Sequence, residues 1–266
     1  MNEGFEESTL GQLLRWLFLA AVMIFLIAPS LIVVPMSFSA SSVLQFPPEE
    51  LSLRWYSHYF NSLEWIAATR ASLTVGFFTT LLSVTAATLA AYGVMRLKPR
   101  LRALVAGLVV LPALIPVILI ATGLFFVLAK LGLIGTLTGL VLGHSAVAIP
   151  VAFVVMTAGF SQFDFSQDKA ARSLGASWVQ SWAYVILPQM GGSLIAASLL
   201  AFVTSLDEVV IAMFVSGGSN ATLPKIMFTA LRDQVEPTIA VISTGLLIVA
   251  SLAVYISIRK GSFGSS

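Results

Sequence analysis

The chain has 266 residues, of which 58% are hydrophobic and only 10% charged, and its formal net charge is +2. Soluble domains are about 25% charged and about 45–50% apolar, so this composition excludes a soluble globular domain and equally a disordered chain. The apolar runs are continuous and do not alternate, which indicates membrane-spanning helices and not a β-barrel. We therefore predict an all-α polytopic membrane protein.

Charge-free stretches predict six transmembrane helices, because a span needs about 20 apolar residues to cross about 30 Å of hydrocarbon. The predicted spans are 13–36, 70–95, 103–128, 136–160, 190–216 and 237–258. Together they make residues 1–266 a single transmembrane domain. The first span is longer than a signal-peptide core, so we expect it to be retained as a helix.

The basic residues predict the orientation of the chain. With six spans, nine Lys and Arg residues fall on the side of the termini and five on the other side. The positive-inside rule then places both termini in the cytoplasm. The strongest local signal is Arg96-Leu-Lys-Pro-Arg-Leu-Arg102, with four basic residues in one short loop. The small net charge gives no indication of nucleic-acid binding.

Residues 37–66 form the predicted periplasmic segment between the first two spans. It is rich in aromatic residues from Trp55 to Trp65. One interpretation is an interfacial helix with an aromatic belt at the level of the lipid headgroups. The other is a docking surface for an external partner.

Two features of the middle spans concern helix geometry and packing. Pro112 and Pro116 each remove a helix donor from the third span, which predicts either a simple kink or a hinge that lines a pathway. Gly135, Gly139 and Gly143 are spaced by four, which predicts a small-residue face for close helix packing. His144 is interpreted as a hydrogen-bonded core residue and not as a metal ligand.

The predicted cytoplasmic loop 161–189 begins as a short amphipathic helix. Ala170, Ala171 and Leu174 can form one face of it, and Gly175 can end it without side-chain cost. Pro188 is expected to start the next span. An exposed helix of small residues on a membrane protein is a plausible socket for a soluble partner.

This loop resembles the cytoplasmic EAA loop of ABC importer permeases, whose pattern is Glu-Ala-Ala, three residues, Gly, nine residues, Ile-x-Leu-Pro. The matching positions are Ala170, Ala171, Gly175, Leu187 and Pro188, while Val185 stands for Ile. Lys169 occupies the place of the glutamate and reverses its charge. Asp168, next to it, is the candidate to supply a carboxylate instead. Ser205-Leu-Asp-Glu-Val-Val-Ile211 and Phe214-Val-Ser-Gly-Gly218 resemble the polyamine branch, the spermidine and putrescine permeases.

The resemblance implies a type I ABC importer permease fold and a coupling helix that docks on an ATP-hydrolysing subunit. The expected ATPase-coupling residues are Asp168, Lys169, Ala170, Ala171, Leu174, Gly175 and Pro188. It also implies a second homologous permease, two ATPase subunits that carry ATP and Mg, and a periplasmic substrate-binding protein. The solute is expected to be small and cationic, or in related branches opine-like or amino-acid-like.

Asp207 and Glu208 lie inside the otherwise apolar fifth predicted span. A charge at this depth costs about 2.5–3.5 kcal/mol on insertion scales, so it usually faces a bundle interior and has a partner. One interpretation is a site or gate that attracts a cationic substrate. The other is a structural pair with Arg70, which is expected at the start of the second span, or with a basic residue of a partner subunit.

Three functions are compatible with the residues alone. The first is a non-catalytic permease subunit of an ATP-driven importer, and the second is a self-contained secondary transporter or channel. The third is an intramembrane enzyme that uses Asp207, Glu208 and His144. The sequence has no P-loop, no catalytic triad motif and no cysteine, so we expect no catalytic residue, no metal site and no cofactor on this chain.

Overall fold

The computed structural model describes residues 9–233 and 236–261, and most of these residues are helical. In chain order the helices are α1 Thr9–Met36, α2 Arg54–Asn61, α3 Leu63–Met95, α4 Pro99–Val110, α5 Val117–Lys130, α6 Leu137–Gln162, α7 Phe165–Ser173, α8 Trp178–Ser181, α9 Leu187–Gln189, α10 Gly191–Leu206, α11 Val210–Val215, α12 Leu223–Asp233 and α13 Thr238–Gly261. Within the described ranges, the extended pairing is a single bridge between Ser39 and Leu51. The prediction of an all-α fold is therefore confirmed.

The chain divides into two compact units, one formed by residues 1–62 with 230–266 and the other by residues 63–229. In the first unit, side-chain hydrogen bonds join the segment before α2 to α2 itself. Trp55 Nε1 donates to the Ser41 carbonyl oxygen over 2.8 Å, and Ser37 Oγ lies 2.8 Å from the Tyr56 hydroxyl. The predicted periplasmic segment therefore contains a short helix, and its contact with lipid or with a partner stays a prediction.

Three helices of the described chain are long and apolar enough to cross a membrane as single rods, namely Gly11–Met36 of α1, α3 and α6. Two further candidates are bent pairs. Pro99–Leu114 meets Val117–Lys130 at 96°, and Trp178–Gln189 meets Gly191–Leu206 at 77°. The apolar segment Thr238–Leu252 of α13 is shorter. The count of six spans and the orientation of the chain stay predictions.

The spans predicted at 103–128 and 190–216 are not continuous helices. The first stops at Val110, passes through the 3-10 turn Leu111–Leu114 and resumes at Val117, where the prolines have removed helix donors. The bend is far larger than a simple kink. The second is interrupted between Leu206 and Val210.

Three small-residue faces meet in the core of the second unit. They are the pairs Ala87 and Ala91 of α3, Ala148 and Ala152 of α6, and Ala197 and Ala201 of α10. Each pair is spaced by four residues, and all six side chains are 0% exposed. Methyl side chains allow helix backbones to approach closely, so the packing of α3, α6 and α10 depends on this seam.

The three glycines predicted to form one helix-packing face have different neighbours, and only Gly143 meets another helix of the described chain, α11. A Cβ added at Gly139 would lie 2.2 Å from the Leu133 carbonyl oxygen, and one at Gly143 would lie 2.7 Å from Ile211 Cγ2. Gly135 has φ +76°, a backbone conformation that favours glycine.

We predict that Ala152→Leu destabilises the protein by about 1–3 kcal/mol, because the seam has no space for three more carbons. The measurement is thermal unfolding of the purified protein in detergent. Val154→Leu is the matched control, since Val154 lies on the same helix with its side chain exposed. Equal melting temperatures for the two variants would contradict close packing at the seam.

Candidate coupling loop and membrane carboxylates

The predicted amphipathic helix of the cytoplasmic loop is α7, and capping motifs define both of its ends. Asp164 accepts hydrogen bonds from Ser166 N over 2.9 Å and from Ser166 Oγ over 2.7 Å, which caps the first turn. The last turn ends in a Schellman motif, in which Ala176 N donates to Ala171 O and Gly175 N donates to Arg172 O, each over 3.1 Å.

Gly175 is the residue that makes this turn possible. Its φ of +94° lies in the left-handed region that side chains with a Cβ rarely adopt. Two residues later, Ser177 and Gln180 form a reciprocal capping box at the start of α8. The connection between α7 and α8 is therefore a defined turn with caps on both sides.

Asp168 joins α7 to two other elements of the same unit. Its carboxylate is 1% exposed and accepts hydrogen bonds from Ser181 Oγ over 2.6 Å and from the Tyr92 hydroxyl over 3.1 Å. The Arg96 guanidinium donates to the same carboxylate and lies 4.2 Å from the Tyr92 ring centroid. Ser181 ends α8, and Tyr92 and Arg96 lie at the end of α3, so one carboxylate links three elements.

The environment of Asp168 favours its ionised form. Burial works to raise the pKa of this carboxyl, but the hydrogen bonds from Ser181 and Tyr92 and the charge and hydrogen bond of Arg96 outweigh it and hold the pKa below its usual range. The carboxylate is thus an internal anchor. The described hydrogen bonds of this carboxylate all lie within the chain. The expectation that Asp168 supplies a carboxylate for a partner at the place of Lys169 stays a prediction.

The other residues expected to contact an ATPase lie on the outside of α7. Lys169, Ala170 and Gly175 are exposed, Ala171 is half-buried, and Leu174 is 90% exposed at the tip of the loop. Within residues 9–233 and 236–261, the chain leaves this apolar side chain almost fully uncovered. The helix α7 therefore exposes a short surface of small side chains, with the Leu174 side chain projecting from its end.

Pro188 does not start the next span, which is a correction to the sequence prediction. It lies in α9, after the π-helical segment Trp182–Ile186 and before the 77° bend that leads into α10. Trp182 is buried against Tyr92, with ring centroids 4.8 Å apart, so the aromatic residues of this loop serve partly as its core.

Asp207 and Glu208 lie at the interruption between α10 and α11. Asp207 is the C-cap of α10 and is exposed, whereas Glu208 is half-buried and its Oε1 accepts a hydrogen bond from Ile211 N over 2.8 Å. Because the helix is broken here, the expected angle of about 100° between adjacent helical side chains does not apply. Among the described residues, no ion pair joins either carboxylate to Arg70, which lies inside α3 and not at its start.

His144 is a buried core residue, as predicted. Its side chain is 0% exposed and its Nδ1 lies 2.9 Å from Ser205 Oγ. Within the described ranges, no group of three or more His, Cys, Asp or Glu side chains could hold a metal ion.

The partners of Asp168 and His144 were missed by the sequence analysis. Arg96 is 72 residues from Asp168, and Ser205 is 61 residues from His144. Arg96 was counted only as an orientation signal. Arg96 directly follows an apolar span that contains Tyr92. This position could have indicated that Arg96 pairs with a buried acidic residue.

We predict that Asp168→Asn lowers the free energy of unfolding by about 1–3 kcal/mol at neutral pH, because it removes the charge that Arg96 pairs with. Arg96 is 42% exposed, so water offsets part of the loss. Because the pKa of Asp168 is lower in the folded chain, its contribution is present above the pKa of the unfolded chain and is lost as the pH falls through the folded value, below about 4.

The measurement is thermal unfolding of the purified protein between neutral and acid pH. The difference between the parent and Asp168→Asn should shrink as the pH falls. Asp233→Asn is the control, because Asp233 pairs with Arg232 on the surface and both side chains are exposed. If the difference in unfolding between the parent and Asp168→Asn stays constant with pH, the stabilising role of the ionised Asp168 carboxylate is contradicted.

Comparison with known proteins shows the family to which this chain belongs. The family described as binding-protein-dependent transport system inner membrane component matches residues 81–260. The chain is 30% identical over 243 residues to the spermidine/putrescine transport system permease protein PotC of Haemophilus influenzae, covering 91% of this chain and 94% of that protein. It is 31% identical over 250 residues to the putrescine transport system permease protein PotI of Escherichia coli, covering 88% and 87%.

The fold agrees with this assignment. The chain is similar to a chain from the crystal structure of a bacterial ABC transporter involved in the import of the acidic polysaccharide alginate, with a TM-score of 0.72 at 16% identity, covering 98% of this chain and 99% of the other. The matched family region is 180 of the 266 residues and contains the whole loop 161–189. The chain therefore belongs to the family of inner-membrane components of binding-protein-dependent transport systems, as an ABC importer permease.

Proposed function

We propose that this permease moves a small cationic solute of the polyamine type across the bacterial inner membrane. The observation that carries the proposal is the pair Asp207 and Glu208 at a helix interruption inside an apolar segment. The likeness to PotC and PotI over most of the chain supports the same solute class. The chain itself would bind no cofactor and catalyse no reaction.

The two carboxylates have different electrostatic surroundings. Asp207 lies at the C-terminus of α10, where the helix dipole is negative, so the carboxylate and the dipole both attract a cation. Glu208 lies at the N-terminus of α11, where the dipole is positive and Ile211 N donates to it. Asp207 is therefore the stronger candidate for contact with a cationic amine, and Glu208 the stronger candidate for holding the helix end.

The coupling of transport to ATP hydrolysis would take place at α7. We assign the exposed face around Lys169, Ala170 and Leu174 to the groove of an ATPase subunit that carries ATP and Mg. Closure of an ATPase pair would push on α7. Asp168 would pass that motion to α3 and α8, since its carboxylate holds Tyr92, Arg96 and Ser181.

The complete importer would contain a second homologous permease, two ATPase subunits and a periplasmic solute-binding protein. ATP binding would open the pathway outward to the loaded binding protein, and hydrolysis would return it inward. Both termini and α7 would then lie in the cytoplasm, and residues 37–66 would face the periplasm.

We predict that Gly175→Val uncouples solute uptake from ATP hydrolysis, because valine cannot adopt the φ of +94° that orients the turn after α7. Uptake per ATP hydrolysed, measured in vesicles reconstituted with all subunits, should fall by about tenfold or more, as for a lost contact of about 1.4 kcal/mol. Gly175→Asn is the matched control, since asparagine tolerates this conformation and should keep most of the coupling. An equal ratio of uptake to ATP hydrolysis in both variants would count against a role of α7 in coupling.

We predict that Asp207→Asn raises the KM for uptake of a linear diamine by about tenfold or more, because a charge-assisted contact of about 1.5–3 kcal/mol is lost. Thr204→Val is the control, because its hydroxyl donates only to the carbonyl oxygen of Leu200 in its own helix. Initial uptake rates of the diamine in the reconstituted transporter give the KM of the Asp207→Asn variant and of the Thr204→Val control. Preferred uptake of amino-acid-like solutes, or an unchanged KM for the diamine, would refute the cationic pathway.

A further inference from the structure

We infer that Gly143 and His144 of α6 are positioning residues that hold the two helix ends on either side of residues 207–209, and that they thereby fix where Asp207 points. Part of this inference rests on the proposed function, because one of its two readouts is transport. The other readout is independent of transport.

His144 holds the end of α10. Its Nδ1 lies 2.9 Å from Ser205 Oγ, and Ser205 is in the last turn of α10, two residues before Asp207. Both side chains are buried, so water does not compete for this hydrogen bond. His144 Nε2 has no partner among the described residues, which makes Ser205 the one described hydrogen-bond partner of the ring.

Gly143 holds the start of α11. The Ile211 side chain is 0% exposed, and a Cβ added at Gly143 would lie only 2.7 Å from Ile211 Cγ2. A side chain at residue 143 would therefore force Ile211, and with it the first turn of α11, to shift from its place against α6. Ile211 is also the residue whose N–H donates to the Glu208 carboxylate.

The two contacts act on one short segment. Adjacent residues of α6 touch the last turn before the interruption and the first turn after it, and the exposed Asp207 lies between these points. Asp207 N donates to the Val203 carbonyl oxygen over 2.9 Å, so Asp207 follows the last turn of α10. The direction of that turn depends on the contacts that hold its end against α6. Loss of either contact should reorient Asp207 without removing it.

The first experiment measures the position of residue 207 directly. The chain contains no cysteine, so Asp207→Cys introduces a single thiol into this subunit. The rate of its reaction with a maleimide is measured in the solubilised transporter, with the cysteine-free permease as background. His144→Phe and Ser205→Ala should each change the rate by about threefold or more, the ratio expected when one hydrogen bond no longer selects one arrangement.

The matched control is Ser145→Ala. Ser145 is the buried neighbour of His144, and its hydroxyl has no partner within the described part of the chain, so the rate should stay as in the parent. The double variant His144→Phe with Ser205→Ala should show no larger change than either single variant, because both remove the same bond. If His144→Phe does not fold, Ser205→Ala carries the measurement, and Ser205→Thr, which keeps the hydroxyl, should restore the parent rate.

The second experiment measures diamine uptake with Asp207 in place. His144→Phe and Ser205→Ala should raise the KM several-fold and leave the ATP hydrolysed per solute unchanged, whereas Ser145→Ala should alter neither. A changed maleimide rate with an unchanged KM supports the positioning and refutes the contact of Asp207 with solute. An unchanged maleimide rate, including no reaction in every background, overturns the positioning.

Discussion

Hydrocarbon offers no hydrogen-bond partner, and this constraint determines where the chain places its few polar groups. Several threonines of the apolar helices donate to the carbonyl oxygen four residues earlier in their own helix, namely Thr69, Thr80, Thr88, Thr122 and Thr204. His144 of α6 meets the same constraint with a partner from another helix, Ser205 of α10. The polar groups that join helices are therefore few, and each one fixes a specific geometry.

The same constraint explains the two interrupted helices. A helix that ends within an apolar segment leaves backbone donors and acceptors without partners. At the second interruption the Glu208 side chain accepts from Ile211 N, which satisfies one of the freed donors. At the first, Pro112 and Pro116 bring no backbone N–H of their own. The broken helices are therefore tolerated because a side-chain acceptor, Glu208, and two prolines without an N–H reduce the number of unpaired backbone donors at the breaks.

The sequence predicted the features that depend on local patterns and missed those that depend on distant pairs. The apolar runs predicted the helical class, and the motif spacing predicted the turn at Gly175. The four-residue glycine spacing predicted close helix packing, which the structure shows at Gly143. The interruption after Leu206 was missed because nothing in the run 190–216 except the acids breaks an apolar pattern. The anchor of Asp168 was missed because its partners on α3 lie more than 70 residues away in the sequence.

The candidate coupling loop and the carboxylates are connected by α10. Its 16 residues run from the bend after α9 to Asp207, a length of about 24 Å. Its middle is packed through Ala197 and Ala201 against the seam with α3 and α6, so it can slide or tilt but has no space to bend there. A push on α7 that reaches α8 through Asp168 would therefore arrive at the far end of α10, where the helix is already broken. In the proposed mechanism, α10 would act as a rod with a bend at one end and an interruption at the other, and it would convert a displacement of the loop into a reorientation of Asp207.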